Sequence, residues 1–185
     1  HGVTHPSGQF GRWACSCNHW RMAFTIREPQ LVDASEIADL HVATWKEAYS
    51  HLLPADYFSE QYVEGRHRMW DHVLTHPRED MRVRVAETGG TIIGFSWVGP
   101  GEGLKGQEPP RGRLLYAIYV LAAHYGTGAG QALLDAALGE DPAMLWVAKE
   151  NPRATAFYLR NGFRFDGIEQ VDPHAPLITD ARMVR

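Results

Sequence analysis

The chain has little cysteine, no excess of positive charge and no long apolar run, and each shortage excludes a class of protein. Its two cysteines, Cys15 and Cys17, lie near the start, so a cysteine nucleophile is disfavoured for the rest of the chain. The formal net charge is −4 and the pI is about 6.2, which argues against general nucleic-acid binding because that affinity requires a basic face. No apolar segment approaches the roughly 20 residues of a membrane helix. We therefore expect a soluble, cytoplasmic protein that binds neither nucleic acid nor a membrane.

Length and composition indicate one domain. The 185 residues, 44% of them hydrophobic and 22% charged, can form one well-buried core and not comfortably two. Residues 1–21 are rich in glycine, serine, proline and histidine and have no apolar period. We interpret them as a disordered leader or an added extension, and residues 22–185 as the domain. Zinc binding by Cys15, Cys17 and His19 would require a fourth ligand and a fold around them, so we expect no metal.

The stretch from Leu114 to Leu138 is the most informative part of the sequence. Leu114 to Val120 is a short apolar run with aromatic and branched side chains, which predicts a strand buried on both faces. Gly126, Gly128 and Gly130 follow and alternate with small residues, so the backbone there can adopt positive φ. Apolar residues at helical spacing come next. A strand, a glycine turn and a helix N-terminus together predict an anion site, most often one for phosphate.

Two other phosphate-binding patterns do not fit this glycine turn. A Walker A loop ends in Gly-Lys-Ser/Thr, and no lysine lies between Lys105 and Lys149. A Rossmann fingerprint would place its last small residue at Gln131 or at Leu133, depending on the first glycine counted. On the turn alone, tight packing of a helix on a strand is an equally good interpretation.

A second strand and helix follow this first unit. The strand begins at Leu145, Asn151 is placed to cap the helix, and Pro152 occupies the first helical position. The helix is predicted to end near Arg160, with Gly162 as its stop. The order is therefore strand, anion-binding helix, strand, capped helix.

These two stretches resemble the acetyl-coenzyme A signature of the GCN5-related N-acetyltransferases (GNAT), and the similarity extends from about Phe24 to Arg185. The resemblance implies an α/β (α+β) fold: a single GNAT-type domain with a mixed central β-sheet of about six or seven strands, flanked by helices and splayed between the fourth and fifth strands. It also implies acetyl-CoA as cosubstrate without a metal, a primary amine of a small molecule or peptide as acceptor, direct attack in a ternary complex, and a possible homodimer.

The resemblance assigns the cofactor site mainly to backbone. In the family, the glycine loop wraps the pyrophosphate of coenzyme A, and a splayed strand aims a backbone N–H at the carbonyl oxygen of the thioester. The matching cofactor-binding positions here are Ile118, Tyr119, Val120, Tyr125, Gly126, Thr127, Gly128, Ala129, Gly130, Gln131 and Asn151. Tyr125 stands where the family usually has Arg or Gln. This removes a side-chain contact, but we expect binding to survive because the amides do most of the holding.

Tyr158 is the candidate catalytic acid. A phenol with a pKa of about 10 can protonate a thiolate whose conjugate acid has a pKa near 8.5. Asn151 and Tyr158 are two helical turns apart and therefore lie on the same side, about 10 Å apart along the axis. In the resembled family that side faces the cofactor. Taken singly, Tyr158 could be a core aromatic and Asn151 a simple cap.

The general base and the acceptor site are less well defined. Ribosomal-protein alanine acetyltransferases, which the chain otherwise resembles, carry a glutamate at the position that matches Trp146. A water held by backbone carbonyls, or a carboxylate such as Glu47, could remove the proton instead. The candidate acceptor contacts on the first helix and after it are Trp45, Glu47, Tyr49 and Tyr57. An aromatic pocket in a mildly acidic protein suits a small cationic amine.

Other local patterns predict the remaining elements. Asp33 and Glu36 have the spacing of a capping box at the start of the first helix. His72 and His76 stand four apart on a second helix, where solvated positions explain them better than a metal does. Gly89-Gly90 between two alternating runs predicts a β-hairpin.

Two other functions compete with acetyl transfer. The first is a coenzyme A binding module without turnover, retained as a sensor or structural partner, which Tyr125 and the missing glutamate leave open. The second is a nucleotide-dependent oxidoreductase, for which the spacing of the glycine loop is wrong.

Overall fold

A computed structural model of the chain describes residues 24–172 and 175–185. The expected leader, with Cys15, Cys17 and His19, lies outside these residues. The strands and helices of the described residues are, in order, β1 (Thr25–Arg27), α1 (Ala34–Tyr49), α2 (Glu60–Thr75), β2 (Arg82–Thr88), β3 (Thr91–Pro100), β4 (Arg113–Val120), α3 (Ala129–Ala137), β5 (Met144–Ala148), α4 (Pro152–Arg160), β6 (Arg164–Asp172) and β7 (Ala175–Val184). No helix in this part of the chain is long and apolar enough to cross a membrane.

The strands form one mixed seven-stranded sheet in the order β1-β2-β3-β4-β5-β7-β6. Neighbouring strands are antiparallel except β4 and β5, which are parallel. Helices α1 and α2 cover one face, where Ile37, Trp70 and Phe95 pack together. On the other face, α3 and α4 pack around Leu134 and Phe163. The structure confirms the expected sheet flanked by helices.

The sheet opens between β4 and β5. These strands pair only at Leu114–Met144 and Leu115–Leu145 and then separate. On the other side of β4, Leu115 and Ala117 pair with consecutive residues of β3, so Tyr116 is an extra residue. Such a β-bulge bends its strand, and here it lies at the point where pairing with β5 ends. The predicted splay between the fourth and fifth strands is therefore confirmed.

The burial of β4 differs from the expectation of a strand covered on both faces. Leu114, Leu115 and Ala117 are buried, but the last three residues of the strand are partly exposed. The reason is the splay, because a strand that leaves its neighbour exposes an edge. The exposed end of β4 forms one wall of a cleft.

The predicted capping box at the start of α1 is wrong. The Asp33 carboxylate accepts from the Arg27 guanidinium at 2.7 and 3.1 Å and from the Gln30 N–H at 2.6 Å, and it does not cap the helix. The Arg27 guanidinium lowers the pKa of Asp33. Glu36 instead accepts from the Ile92 N–H at 2.8 Å. Partners on β1 and β3 therefore replace the local contacts that the spacing predicted.

The other local predictions are confirmed. Gly89 and Gly90 join β2 to β3 with φ of 57° and 80°, the left-handed region that tight hairpin turns use. The Asn151 side chain accepts from the Ala154 N–H at 3.0 Å at the start of α4. Gly162 follows that helix with φ of 85°.

Candidate active site

A cleft of about 350 Å³ lies where β4 and β5 separate, a volume in the usual range for small-molecule sites. Residues 115–120 of β4 and 146–148 of β5 form its walls, with contributions from α1, α4, β7 and the start of the glycine loop. The lining thus includes both faces of the sheet, because the splay opens a passage through it. Of the predicted cofactor residues, those that line the cleft are Ile118, Tyr119, Val120, Tyr125, Gly130 and Asn151.

The glycine loop has an open bend with unpaired donors. Gly126 and Gly128 have φ of 76° and 92°, and a Cβ built on either would meet no atom within 4 Å. Within the described residues, no hydrogen-bond acceptor is found for the backbone N–H groups of Gly126, Thr127, Gly128, Gly130 and Gln131. Several donors at the N-terminus of α3, which carries a positive dipole end, suit an anion.

Thr127 fixes the loop from within. Its hydroxyl donates to the His124 carbonyl at 2.8 Å and lies 3.4 Å from the Ala129 N–H. The Thr127 side chain is therefore occupied by its own backbone, and only its N–H is available to a ligand. This agrees with a site formed by main-chain atoms.

Arg153 is a residue that sequence reasoning missed. Its guanidinium carbon lies 3.1 Å from the centre of the Tyr125 ring, and both side chains line the cleft. The stack places a cation beside the loop position at which Tyr125 replaces the expected Arg or Gln. The sequence pattern that could have indicated Arg153 is a basic residue on the first turn of α4, two positions after the cap Asn151.

Tyr158 lines the cleft from the α4 side, although only 8% of its surface is exposed. Its ring packs edge-on against Phe157 and Phe163. Burial raises the pKa of Tyr158, and the nearby Tyr119 and Tyr49 hydroxyls raise it further. Among the described residues, none forms a hydrogen bond with its hydroxyl, which is protonated at neutral pH.

Asn151 links the two sides of the cleft. While its Oδ1 caps α4, its Nδ2 donates to the Tyr49 hydroxyl on α1 at 3.2 Å. Burial raises the pKa of Tyr49, so this phenol stays protonated. The amide therefore has a structural role on both sides, beyond the predicted cap.

An aromatic wall, formed by Trp45, Tyr49 and Tyr119, lines the α1 side of the cleft. The Trp45 Nε1 donates to the Tyr119 hydroxyl at 3.1 Å, and the Trp45 and Tyr49 rings are 5.0 Å apart. Burial raises the pKa of Tyr119. Two of the four predicted acceptor contacts, Trp45 and Tyr49, thus lie in the cleft.

Besides Gly126, Thr127, Gly128 and Ala129 of the loop, three predicted residues lie outside the cleft lining, and their side chains have other contacts. Tyr57 stacks parallel to Trp45 at 6.4 Å between ring centres. The Glu47 carboxylate accepts from the Ala122 N–H at 2.9 Å. The Gln131 side-chain amide donates to Asp135 and Asn161. None of the three is among the residues that line the cleft.

Asp180 on β7 brings a carboxylate into the cleft, and sequence reasoning missed it. This side chain is half-buried, and its pKa is raised to about 6 by burial first and then by the charges of Asp172 and Glu150. Trp146, which occupies the position of the sought glutamate, also lines the cleft. The sequence pattern that could have indicated Asp180 is a charged residue among the core residues of the last strand.

A metal has no evident ligand set in residues 24–172 and 175–185, where no group of three or more His, Cys, Asp or Glu could hold one. His72 and His76 stack at 4.4 Å between ring centres, and the His76 Nδ1 lies 3.2 Å from the His72 carbonyl oxygen. Their contacts are therefore with each other and with the end of α2.

Comparisons with known proteins agree with this geometry. The sequence profile of the acetyltransferase (GNAT) domain matches residues 79–165. The uncharacterized N-acetyltransferase YuaI of Bacillus subtilis (strain 168) is 30% identical over 135 residues, which cover 69% of this chain and 73% of that protein. The probable N-acetyltransferase Rv2775 of Mycobacterium tuberculosis is 28% identical over 148 residues, 77% of this chain and 80% of that protein. The solved structure of the PaiA N-acetyltransferase from Thermoplasma acidophilum in complex with coenzyme A has a TM-score of 0.62 at 20% identity and covers 89% of this chain and 99% of that one.

Proposed function

Because the chain belongs to the GCN5-related N-acetyltransferase (GNAT) family, we propose that it transfers acetyl from acetyl-CoA to a primary amine of a small molecule or peptide by direct attack in a ternary complex. The observation that carries this proposal is the cleft between β4 and β5. At one end it meets a loop of unpaired N–H groups, and its wall contains a protonated phenol.

The loop from Tyr125 to Gln131 holds the diphosphate of the cofactor. Its unpaired N–H groups and the dipole of α3 attract negative charge, and the absence of side chains at Gly126 and Gly128 permits a close approach. The relative from Thermoplasma acidophilum is described in complex with coenzyme A, which is consistent with this assignment.

Arg153 replaces the basic side chain that the loop lacks. Its guanidinium carbon lies over the Tyr125 ring at the edge of the loop, where the N–H groups can turn towards a phosphate. Tyr125 then contributes as a platform for the cation. This accounts for cofactor binding by a chain that departs from the family at Tyr125.

The exposed end of β4 stabilises the charge on the thioester oxygen. After Leu115 this strand has no pairing with β5 among the described residues. The Leu121 N–H donates to Ile93 of β3, and N–H groups alternate between the two sides of a strand, so the Tyr119 N–H also points towards β3. The N–H groups of Ile118 and Val120 point to the opened side and are able to donate to the oxyanion, and a backbone donor needs no reorganisation during the reaction.

Tyr158 supplies the proton to the leaving thiolate. Its raised pKa keeps the hydroxyl protonated at neutral pH, and its proton is not engaged by another described residue. Asn151, predicted to bind the cofactor, positions the start of α4 and thereby Tyr158.

The proposal is tested by following thiol release from acetyl-CoA with tyramine, ethylenediamine and alaninamide as acceptors. We expect Tyr158→Phe to lower kcat by about 100-fold, the lower end for loss of acid catalysis, with nearly unchanged acetyl-CoA affinity by calorimetry. Tyr57→Phe is the control, because Tyr57 lies outside the cleft lining, and it should retain activity. Unchanged turnover by Tyr158→Phe would remove the acid role.

The same experiment separates the competing functions. Binding of acetyl-CoA without thiol release for any amine would identify the non-catalytic coenzyme A binding module. If calorimetry shows binding of NAD and none of acetyl-CoA, the chain is a nucleotide-dependent oxidoreductase and the proposal is overturned.

A further inference from the structure

We propose that Asp180 is the general base that removes the proton from the attacking amine, and that the acceptor is an amine that is positively charged at neutral pH. This inference rests on the proposed acetyl transfer. It is carried by the direction in which β7 projects the Asp180 side chain, by the absence of any partner for its carboxylate among the described residues, and by the charges around it.

Strand register places Asp180 on the α1 face of the sheet. Asp180 pairs with Ala148 of β5, and paired residues project to the same face. Ala148 packs with Tyr49 of α1 and with Ile178, which lies two positions before Asp180 on β7. Asp180 therefore points towards the side of the aromatic wall.

Tyr158 lies on the opposite face. It packs with Leu145 and Val147 of β5, whose side chains alternate with those of Trp146 and Ala148. Both Tyr158 and Asp180 nevertheless line the same cleft, because the splay of β4 from β5 connects the two faces. The acid thus stands on the side of the cofactor loop, and the carboxylate stands on the side left for the acceptor.

The carboxylates near the acceptor side do not have equal access to a substrate. Glu150 accepts from the Thr179 N–H at 3.1 and 3.3 Å, and Glu47 caps the Ala122 N–H outside the cleft lining. Asp172 and Asp180 are the carboxylates that line the cleft. Asp172 lies at the end of β6, whereas Asp180 lies beside β5, next to the splayed strands. Within the described residues, the Asp180 carboxylate has no hydrogen bond or ion pair.

The charges around Asp180 suit a base for a cationic amine. Burial and the negative charges of Asp172 and Glu150 raise its pKa to about 6, so it is ionised at neutral pH and accepts a proton more readily than an ordinary carboxylate. Tyr49 faces it from α1 as a neutral phenol. Arg182, two positions further on β7, is paired with Asp166 at 2.7 Å and so is held by a different carboxylate.

The proton transfers balance. Asp180 takes a proton from the ammonium group and releases that proton to solvent. The neutral nitrogen then attacks the carbonyl carbon of the thioester. As the C–N bond forms, Asp180 takes a second proton from nitrogen; as the C–S bond breaks, Tyr158 gives its proton to the thiolate. Exchange through solvent returns a proton from Asp180 to Tyr158, so neither residue is consumed.

The test is the pH dependence of kcat/KM for the wild type and for Asp180→Asn, with tyramine and with aniline as acceptors. Glu169→Gln is the matched control, since it removes the same charge from the same hairpin, and both Glu169 and its partner Lys149 are outside the cleft lining. We expect the wild type to gain activity with tyramine as the pH rises through about 6. Asp180→Asn should lose this limb and about 100-fold or more in kcat, with unchanged acetyl-CoA affinity by calorimetry.

Aniline separates deprotonation from placement of the acceptor. It is neutral at the assay pH, so it needs no initial deprotonation, and the penalty of Asp180→Asn should be smaller with it than with tyramine. If Asp180→Asn retains the limb near pH 6, or changes KM alone, the inference is overturned. Failure of the proposed function itself would show differently, as a wild type that releases no thiol with any acceptor.

Discussion

The two sides of the cleft are built from different parts of the chain. On the cofactor side, contiguous backbone from Tyr125 to Gln131 provides the donors, and few side chains take part. On the acceptor side, side chains from α1, β4 and β7 converge, including Trp45, Tyr119 and Asp180. We expect a site made of backbone to tolerate a changed side chain such as Tyr125. A site made of distant side chains depends on each of them, and its specificity can change without altering the cofactor site.

The largest expected effect on acetyl-CoA affinity tests the backbone of the loop. Gly128 has φ of 92°, so Gly128→Val adds strain and places a branched side chain where the diphosphate would lie. We expect acetyl-CoA affinity, measured by calorimetry, to fall at least about tenfold, or about 1.4 kcal/mol. Gly106→Val is the control, because Gly106 has φ of 78° and equally open surroundings outside the cleft lining. An equal loss of affinity in both variants would mean that strain, and not the loop, causes it.

A second effect tests whether a side chain assists the backbone on the cofactor side. Arg153→Ala should weaken acetyl-CoA binding by about fivefold to tenfold, because a charge-assisted contact to phosphate is lost. The double variant Arg153→Ala with Tyr125→Arg should recover most of this loss, since it restores a cation at the family position. If the second change brings no recovery, Arg153 does not act as the replacement cation.

A smaller effect should appear only on the acceptor side. Trp45→Phe removes the hydrogen bond from Nε1 to the Tyr119 hydroxyl, and we expect a rise of about threefold to tenfold in the KM of the amine, the range for one lost hydrogen bond. Acetyl-CoA affinity should stay unchanged. Trp97→Phe is the matched control, because the Trp97 Nε1 has no partner among the described residues. An equal change in both variants would exclude a specific role of the bond.

The smallest effect concerns stability. The pKa of Asp180 is raised to about 6 in the folded chain, so the folded state binds more protons than the unfolded state between about pH 4 and 6. The stability that this group contributes therefore falls as the pH rises through that window. Asp180→Asn should therefore melt no lower than the wild type at pH 7 and lose its relative advantage at pH 4. Thermal unfolding at both values measures this. A variant less stable at pH 7 would point to a structural role for Asp180.

Local sequence patterns predicted the helix boundaries and the glycine turns beside the cleft well. Glycines, a cap at Asn151 and a stop at Gly162 act within one turn of the chain, so the elements that they define could be read directly. The architecture then followed from the family resemblance. The capping box at Asp33 failed because Arg27, from a separate strand, competes for the same carboxylate.

Long-range packing explains what the sequence could not indicate. Asp180 reaches the cleft only through the register of β7 on β5, and a shift of one residue would move it to the other face. Arg153 reaches Tyr125 only because α4 packs beside the loop. On sequence grounds Glu47 was an equally reasonable general base, but its position on α1 directs its carboxylate to the Ala122 N–H.

A crystal structure of the chain with coenzyme A and tyramine tests the central claim most directly. The account predicts pyrophosphate oxygens about 2.7–3.2 Å from backbone nitrogens of the loop, the sulfur beside the Tyr158 hydroxyl, and the amine between that sulfur and Asp180. A diphosphate bound away from the loop, or an amine on the same face of the sheet as Tyr158, would contradict it.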